Sequence, residues 1–167
     1  MIEEMTKTEK DLREAFAGES QAFIKYTIFA RKAEAEGFGQ AAKLFRAAAE
    51  AEAIHAHNHL KALSAVKSTR ENLMEAIGGE TFEFTKMYPA MIADAQAGDN
   101  KAALRSFVYA NETEKGHAEL YQKALEELGK EVESDYYVCE VCGYTAQSAL
   151  DECPLCKAKK KAFKKTD

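Results

Sequence analysis

Seven ionisable residues stand at spacings that suit metal chemistry: Glu19, Glu52, His55, Glu80, Glu83, Glu114 and His117. Glu52-x-x-His55 and Glu114-x-x-His117 each place a carboxylate and an imidazole three residues apart, which on a helix is one face. Taken singly, each is an ordinary solvated glutamate or a satisfied histidine. Gathered at one level of a helical core, the carboxylates repel one another unless a cation sits among them. Oxygen-rich sites with few nitrogens suit iron or manganese ahead of zinc. A second constellation lies near the C-terminus, where Cys139-Glu140-Val141-Cys142 and Cys153-Pro154-Leu155-Cys156 form two Cys-x-x-Cys knuckles ten residues apart. Four thiolates at this spacing bind one tetrahedral metal, iron or zinc, and so short a segment needs that metal to fold.

The elements that must position these residues are long helices. Thr6-x-x-Glu9 is a capping box opening a helix over residues 6–36, with Leu12, Phe16, Glu19, Phe23, Tyr26 and Ala30 on one stripe. Gly37-Phe38-Gly39 reverses the chain into a second helix over 40–66, striped by Ala41, Phe45, Ala48, Glu52, His55, His59 and Ala62. Ser68-x-x-Glu71 caps a short piece over 71–77 that Gly78-Gly79 interrupts. A third helix over about 79–97 carries Glu80, Glu83, Phe84, Met87 and Met91 inward, with a kink expected at Pro89. Gly98-Asp99 closes it and caps the fourth, which runs to Leu128 with Phe107, Ala110, Glu114, His117 and Tyr121 on its stripe. Four helices joined by short turns predict a bundle.

The halves of that bundle repeat. Gly18-Glu19 with Phe23 matches Gly79-Glu80 with Phe84, and Glu52-x-x-His55 matches Glu114-x-x-His117; the intervals are 33 residues from Glu19 to Glu52 and 34 from Glu80 to Glu114. In this register Glu83 answers to Ala22 and His59 to Tyr121, so the second half has one extra carboxylate. Tyr26 and Tyr88 lie about two turns from Glu19 and Glu80, as ordinary buried tyrosines or as hydroxyls that orient a ligating carboxylate. His57 points away from the stripe, and Glu50 and Glu112 lie on the far side of their helices.

A formal net charge of −5 with interspersed signs argues against a nucleic-acid partner. The start, Met1-Ile2-Glu3-Glu4-Met5, lacks a signal peptide's basic and apolar run, and no stretch approaches the ~20 apolar residues of a membrane span. A cytoplasmic protein is expected.

Bundle and knuckles in this order resemble the rubrerythrin family over almost the whole chain. The resemblance rests on Gly18-Glu19, Glu52-x-x-His55, Gly79-Glu80-x-x-Glu83 with Met87-Tyr88-Pro89, Glu114-x-x-His117 and the cysteine knuckles. It implies an all-α ferritin-like bundle over 1–132 and a rubredoxin-like iron–thiolate domain over 133–167. It also implies a di-iron peroxidase that reduces hydrogen peroxide to water, with electrons from NAD(P)H through a reductase and rubredoxin. Glu52 and Glu114 would bridge two irons, Glu19, Glu80 and His117 would be fixed ligands, and His55 and Glu83 would alternate on one iron. Tyr26 and Tyr88 would support that chemistry. A homodimer or larger homo-oligomer is implied as well, with exchange of helix pairs as one route to it. One departure from the pattern is Lys157, where rubredoxin-like domains have glycine after the last cysteine. The basic tail, Lys157 to Lys165, reads as a solvated end ahead of a docking patch. Iron oxidation and storage, or a zinc-bearing binding module, are the alternative functions.

Overall fold

The computed structural model describes residues 5–130 and 133–166. The expected boundary at 132 to 133 therefore touches residues outside the described ones, as do the first four residues. The chain divides into two compact units, Met1–Lys67 and Ser68–Asp167.

In the first unit, α1 spans Lys7–Ala35 and α2 spans Gly39–Ala62. The capping box forms as expected: Glu9 N–H donates to Thr6 Oγ1, and Thr6 N–H donates to the Glu9 carboxylate at 2.8 Å. Such a cap stabilises a helix start by about 1 kcal/mol. Gly37, at φ +83°, supplies the left-handed residue of the reversal, and Phe38 N–H returns to the carbonyl of Ala33 at 2.8 Å. The seam between α1 and α2 is made of small residues, with Ala30, Ala33, Ala42, Ala49 and Ala56 buried. Alanines at a seam let the two backbones approach closely and leave the bulky residues elsewhere. Phe23, Ile24, Ile28, Phe29, Leu44 and Ile54 are all exposed.

The second unit opens on Ser68, whose capping box with Glu71 starts α3 at Thr69. Here the structure corrects the expected interruption: α3 runs unbroken through Gly78 and Gly79 to Phe82. Glycine costs a helix interior only about 1 kcal/mol, which packing against another helix can offset. Where a kink is expected at Pro89, the structure has a π turn over Glu83–Met87 just before it, followed by α4 over Tyr88–Ala97. Tyr88 N–H reaches back five residues to the carbonyl of Glu83. Pro89 has no N–H with which to continue the ordinary ladder, so the wider turn sits where the ladder must break.

Gly98 and Asp99 do close this helix, with Asp99 left-handed at φ +46°, but the cap of the next is Asn100. Its side chain accepts from Ala103 N–H at 3.1 Å and starts α5, Lys101–Glu127. Past Gly129 lies a three-stranded antiparallel sheet in the order β2-β1-β3, with β1 at Tyr137–Cys139, β2 at Thr145–Ala146 and β3 at Phe163–Lys165.

Candidate metal centres

Each unit builds one carboxylate–histidine cluster, and the two are near copies. In the first, Glu19 comes from α1 and Glu52 and His55 from α2, with ligand atoms within 4.8 Å of one another. His55 Nδ1 lies 2.9 Å from Glu52 Oε2 and 4.0 Å from Glu19 Oε1. In the second, Glu80 comes from α3 and Glu114 and His117 from α5. There His117 Nδ1 lies 2.8 Å from Glu114 Oε2 and 3.9 Å from Glu80 Oε1. The surroundings repeat too: Tyr26 packs on Phe45 with ring centres 6.2 Å apart, and Tyr88 on Phe107 at 6.3 Å.

The second cluster gathers its carboxylates closely enough to act on one another. Burial first, and the Glu114 carboxylate second, push the Glu80 carboxyl above its ordinary value, against the pull of His117. Burial, then Glu114, Glu83 and Glu80, push the Tyr88 phenol upward. A dication among these oxygens would reverse both tendencies. Glu83, first residue of the π turn, is outside the set of ligand atoms within 4.8 Å but close enough for its charge to act on Tyr88. His57 is exposed and His59 half-buried, and neither belongs to a cluster among the described residues; Glu50 and Glu112 are exposed.

The four cysteines converge as expected. Cys139 and Cys153 are fully buried, and Sγ–Sγ distances are 3.6 Å for Cys139 to Cys156 and for Cys142 to Cys153. A tetrahedron with metal–sulfur bonds of about 2.3 Å has edges near ~3.8 Å, so the cradle is already close to metal size. Burial raises the thiols of Cys142 and Cys156. It acts on Cys153 also, where amide bonds from Cys156 and Leu155 outweigh it and bring that thiol down. The knuckles repeat each other: Gly143 N–H donates to the carbonyl of Cys139 at 2.8 Å, and Lys157 N–H to that of Cys153 at 3.0 Å. Gly143 sits at φ +83° and Lys157 at φ +63°, so lysine does occupy a left-handed position. Its Nζ bonds the carbonyl of Pro154 at 3.0 Å. In the basic tail, Lys159 pairs with Glu152, Lys160 with Asp151 and Lys165 with Asp135.

Sequence reasoning missed how the first knuckle is seated on α5. Thr113, buried on α5, donates its hydroxyl to the carbonyl of Cys142 at 3.2 Å. His117 Nε2 lies 2.9 Å from Thr145 Oγ1, which donates to the carbonyl of Gly143 at 3.0 Å. Lys123 bonds Gln147 at 2.8 Å. These partners are 24 to 29 residues apart, beyond any helical or strand period, so no local spacing announces them.

Comparison with known proteins agrees with both parts. The family model described as Rubrerythrin matches residues 10–125, and that of the rubrerythrin rubredoxin-like domain matches residues 137–164. Rubrerythrin-2 of Clostridium acetobutylicum is 36% identical over 170 residues, covering 91% of this chain and 92% of that one. Nigerythrin of Nitratidesulfovibrio vulgaris is 33% identical over 171 residues, covering 93% and 85%. The solved structure of fully reduced, all-ferrous nigerythrin aligns with a TM-score of 0.59 at 31% identity, over 99% of this chain and 89% of that one. The donor sets described above fit a di-iron carboxylate site and a four-thiolate iron.

Proposed function

The chain belongs to the rubrerythrin family, with its ferritin-like helices and rubredoxin-like domain, and we propose that it reduces hydrogen peroxide to water. The observation that carries this reading is the seating of the four-cysteine knuckle on α5, the helix that supplies Glu114 and His117. A redox centre fixed there serves electron delivery, which iron storage or a purely structural zinc site does not require.

In this reading residues 1–132 form the di-iron domain and 133–167 the thiolate domain. Glu52 and Glu114 would each serve both metals, Glu19 and Glu80 would hold one each, and His117 would be a permanent ligand. His55 and Glu83 would alternate, the neutral imidazole suiting a ferrous ion and the harder carboxylate a ferric one. When bound, the metals supply the two electrons and a Lewis-acid seat for the peroxide. The overall change is one peroxide, two electrons and two protons giving two waters. Tyr88, whose phenol is pushed upward by burial and then by Glu114, Glu83 and Glu80, would donate a hydrogen bond towards these carboxylates, and Tyr26 would take the matching place in the first half. Electrons arrive through the thiolate centre from a rubredoxin or another small donor, fed by NAD(P)H through a reductase. None of the described helices is long and apolar enough to cross a membrane; a cytoplasmic site of action is part of the proposal.

We also propose that the working unit is at least a homodimer that exchanges helix pairs. In a ferritin-like bundle the second and third long helices run parallel. From Glu52 to the end of α2 at Ala62 is about 15 Å, and from the start of α3 at Thr69 to Glu80 about 16 Å. A connection that brings Glu52 and Glu80 of one chain to the same level must then span ~31 Å. With α3 helical from Thr69, only residues 63–68 remain to make it, reaching about 22 Å at full extension. A partner copy removes the constraint and covers the exposed Phe23, Ile24, Ile28 and Phe29.

The test is metal analysis and a visible spectrum, followed by anaerobic reduction and mixing with peroxide or with oxygen. The proposed function predicts a red iron–thiolate colour that bleaches on reduction and returns rapidly with peroxide. A colourless, zinc-filled thiolate site, or rapid return with oxygen alone, would overturn it.

A further inference from the structure

We propose that Thr145 of the thiolate domain is a positioning residue for the helical metal site, holding His117 in the one tautomer that leaves Nδ1 free for metal. This goes beyond the peroxidase reading and rests only on Glu80, Glu114 and His117 binding a metal.

The direction of each hydrogen bond is dictated by its partner. Thr145 Oγ1 lies 3.0 Å from the carbonyl oxygen of Gly143, which can only accept, so the hydroxyl proton is committed there. The same oxygen lies 2.9 Å from His117 Nε2 and can then only accept, so Nε2 carries the ring proton. A neutral imidazole has one such proton, which puts the lone pair on Nδ1. Nδ1 is the atom that faces Glu114 at 2.8 Å and Glu80 at 3.9 Å. Metal bound at Nδ1 would leave the Nε2 proton with Thr145.

The hydroxyl is itself well held. Thr145 pairs with Val138 across β1 and β2, the adjoining knuckle closes through Cys139 N–H to the carbonyl of Tyr144 at 2.9 Å, and Thr113 anchors the carbonyl of Cys142. His55 stands in contrast. Among the described residues its Nε2 has no hydrogen-bond partner, and its side chain is 53% exposed against 28% for His117. Folding of the thiolate domain thereby prepares one of two otherwise matching histidines, and metal bound at that histidine holds the domain in its seat by the same free energy.

The experiment uses full-length protein loaded with zinc, which is diamagnetic, as wild type, Thr145→Val and Thr145→Ser. Ring nitrogen correlations report the tautomer of each histidine, and chelator competition reports the affinity of the helical sites. Wild type and Thr145→Ser should show a slowly exchanging Nε2 proton on His117. Thr145→Val should lose it, with affinity at the His117 cluster falling 10- to 100-fold, the range for removing a ligand's outer partner. His55 should not change, and its constancy identifies a Thr145→Val protein that is still folded; if that variant shifts both rings, the serine variant decides. An unchanged His117 in the valine variant, or a loss in the serine variant equal to that in valine, would overturn the proposal. No response of wild-type His117 to zinc would instead overturn the metal assignment beneath it.

Discussion

The two helix pairs present the same three candidate ligands in the same geometry, and the second is tied to the thiolate domain through Thr113 and His117. Glu19, Glu52 and His55 reproduce Glu80, Glu114 and His117 to within 0.1 Å in the contacts that define each cluster. The difference lies in what stands behind the histidines. His117 is backed by Thr145 and half-buried, whereas His55 is exposed. The two ligand sets are near copies, and what distinguishes them is the set of contacts that Thr113 and Thr145 make behind the second. In the proposed peroxidase, whose metals would pass between two oxidation states, such a difference would let His55 exchange while His117 stays bound.

The strongest way to break this comparison is to damage the halves in different chains. Glu52→Ala and Glu114→Ala should each abolish peroxide reduction alone. Unfolded together and refolded as mixed dimers that exchange helix pairs, they should recover about a quarter of wild-type activity, because half the dimers are mixed and half their sites are intact. Without exchange every site keeps one damaged half and nothing returns. Turnover and iron per chain, measured after mixing, separate the two outcomes.

A smaller effect sharpens the contrast between the histidines. His117→Ala should weaken metal binding at least about a hundredfold, the upper end of the cost of losing a mere outer partner, and His55→Ala about tenfold or less. Glu83→Ala should leave iron binding largely intact but slow the redox cycle, because the carboxylate that replaces His55 is gone. Chelator competition checks the first pair and stopped-flow turnover the third. Equal losses from the two histidines, or unchanged turnover in the glutamate variant, would refute the division of labour.

Much of this was legible because it is local. Capping boxes at Thr6 and Ser68, the two Glu-x-x-His pairs and the two knuckles are all patterns of three or four residues, and a helix or tight turn converts them directly into shared faces. What escaped depends on partners far along the chain or on small energy differences. Thr145 meets His117 across 28 residues, with no periodicity to mark it. The helix crosses Gly78-Gly79 because tertiary contacts override a weak propensity, and Asn100 displaces Asp99 as a cap because the preceding helix needs Asp99 in the left-handed region. The π turn at Glu83 left only one trace, Pro89, which indicated that the ladder must break without showing that it would break by widening.

The knuckles offer the same comparison on a smaller scale, again one copy relaxed and one not. Gly143 and Lys157 hold equivalent turns after Cys142 and Cys156, at φ +83° and +63°. The left-handed region costs a side-chain-bearing residue on the order of 1 kcal/mol, and glycine nothing, although glycine gives part of that back as entropy in the unfolded chain. Lys157 offsets some of the strain with its bond to Pro154, whose exposure to water keeps that contribution small. Lys157→Gly should therefore stabilise the metal-bound thiolate domain by about 0.5 kcal/mol, read as slower loss of metal to a chelator. The opposite exchange should cost more. Gly143 is at φ +83°, where any side chain is strained, and its carbonyl accepts from Thr145, the partner of His117, so that strain falls where the knuckle is seated on α5. Gly143→Ala should thus release metal faster and also disturb the His117 ring, an effect that Lys157→Gly should not share. If both substitutions leave His117 unchanged, the first knuckle is no more closely coupled to the helical site than the second.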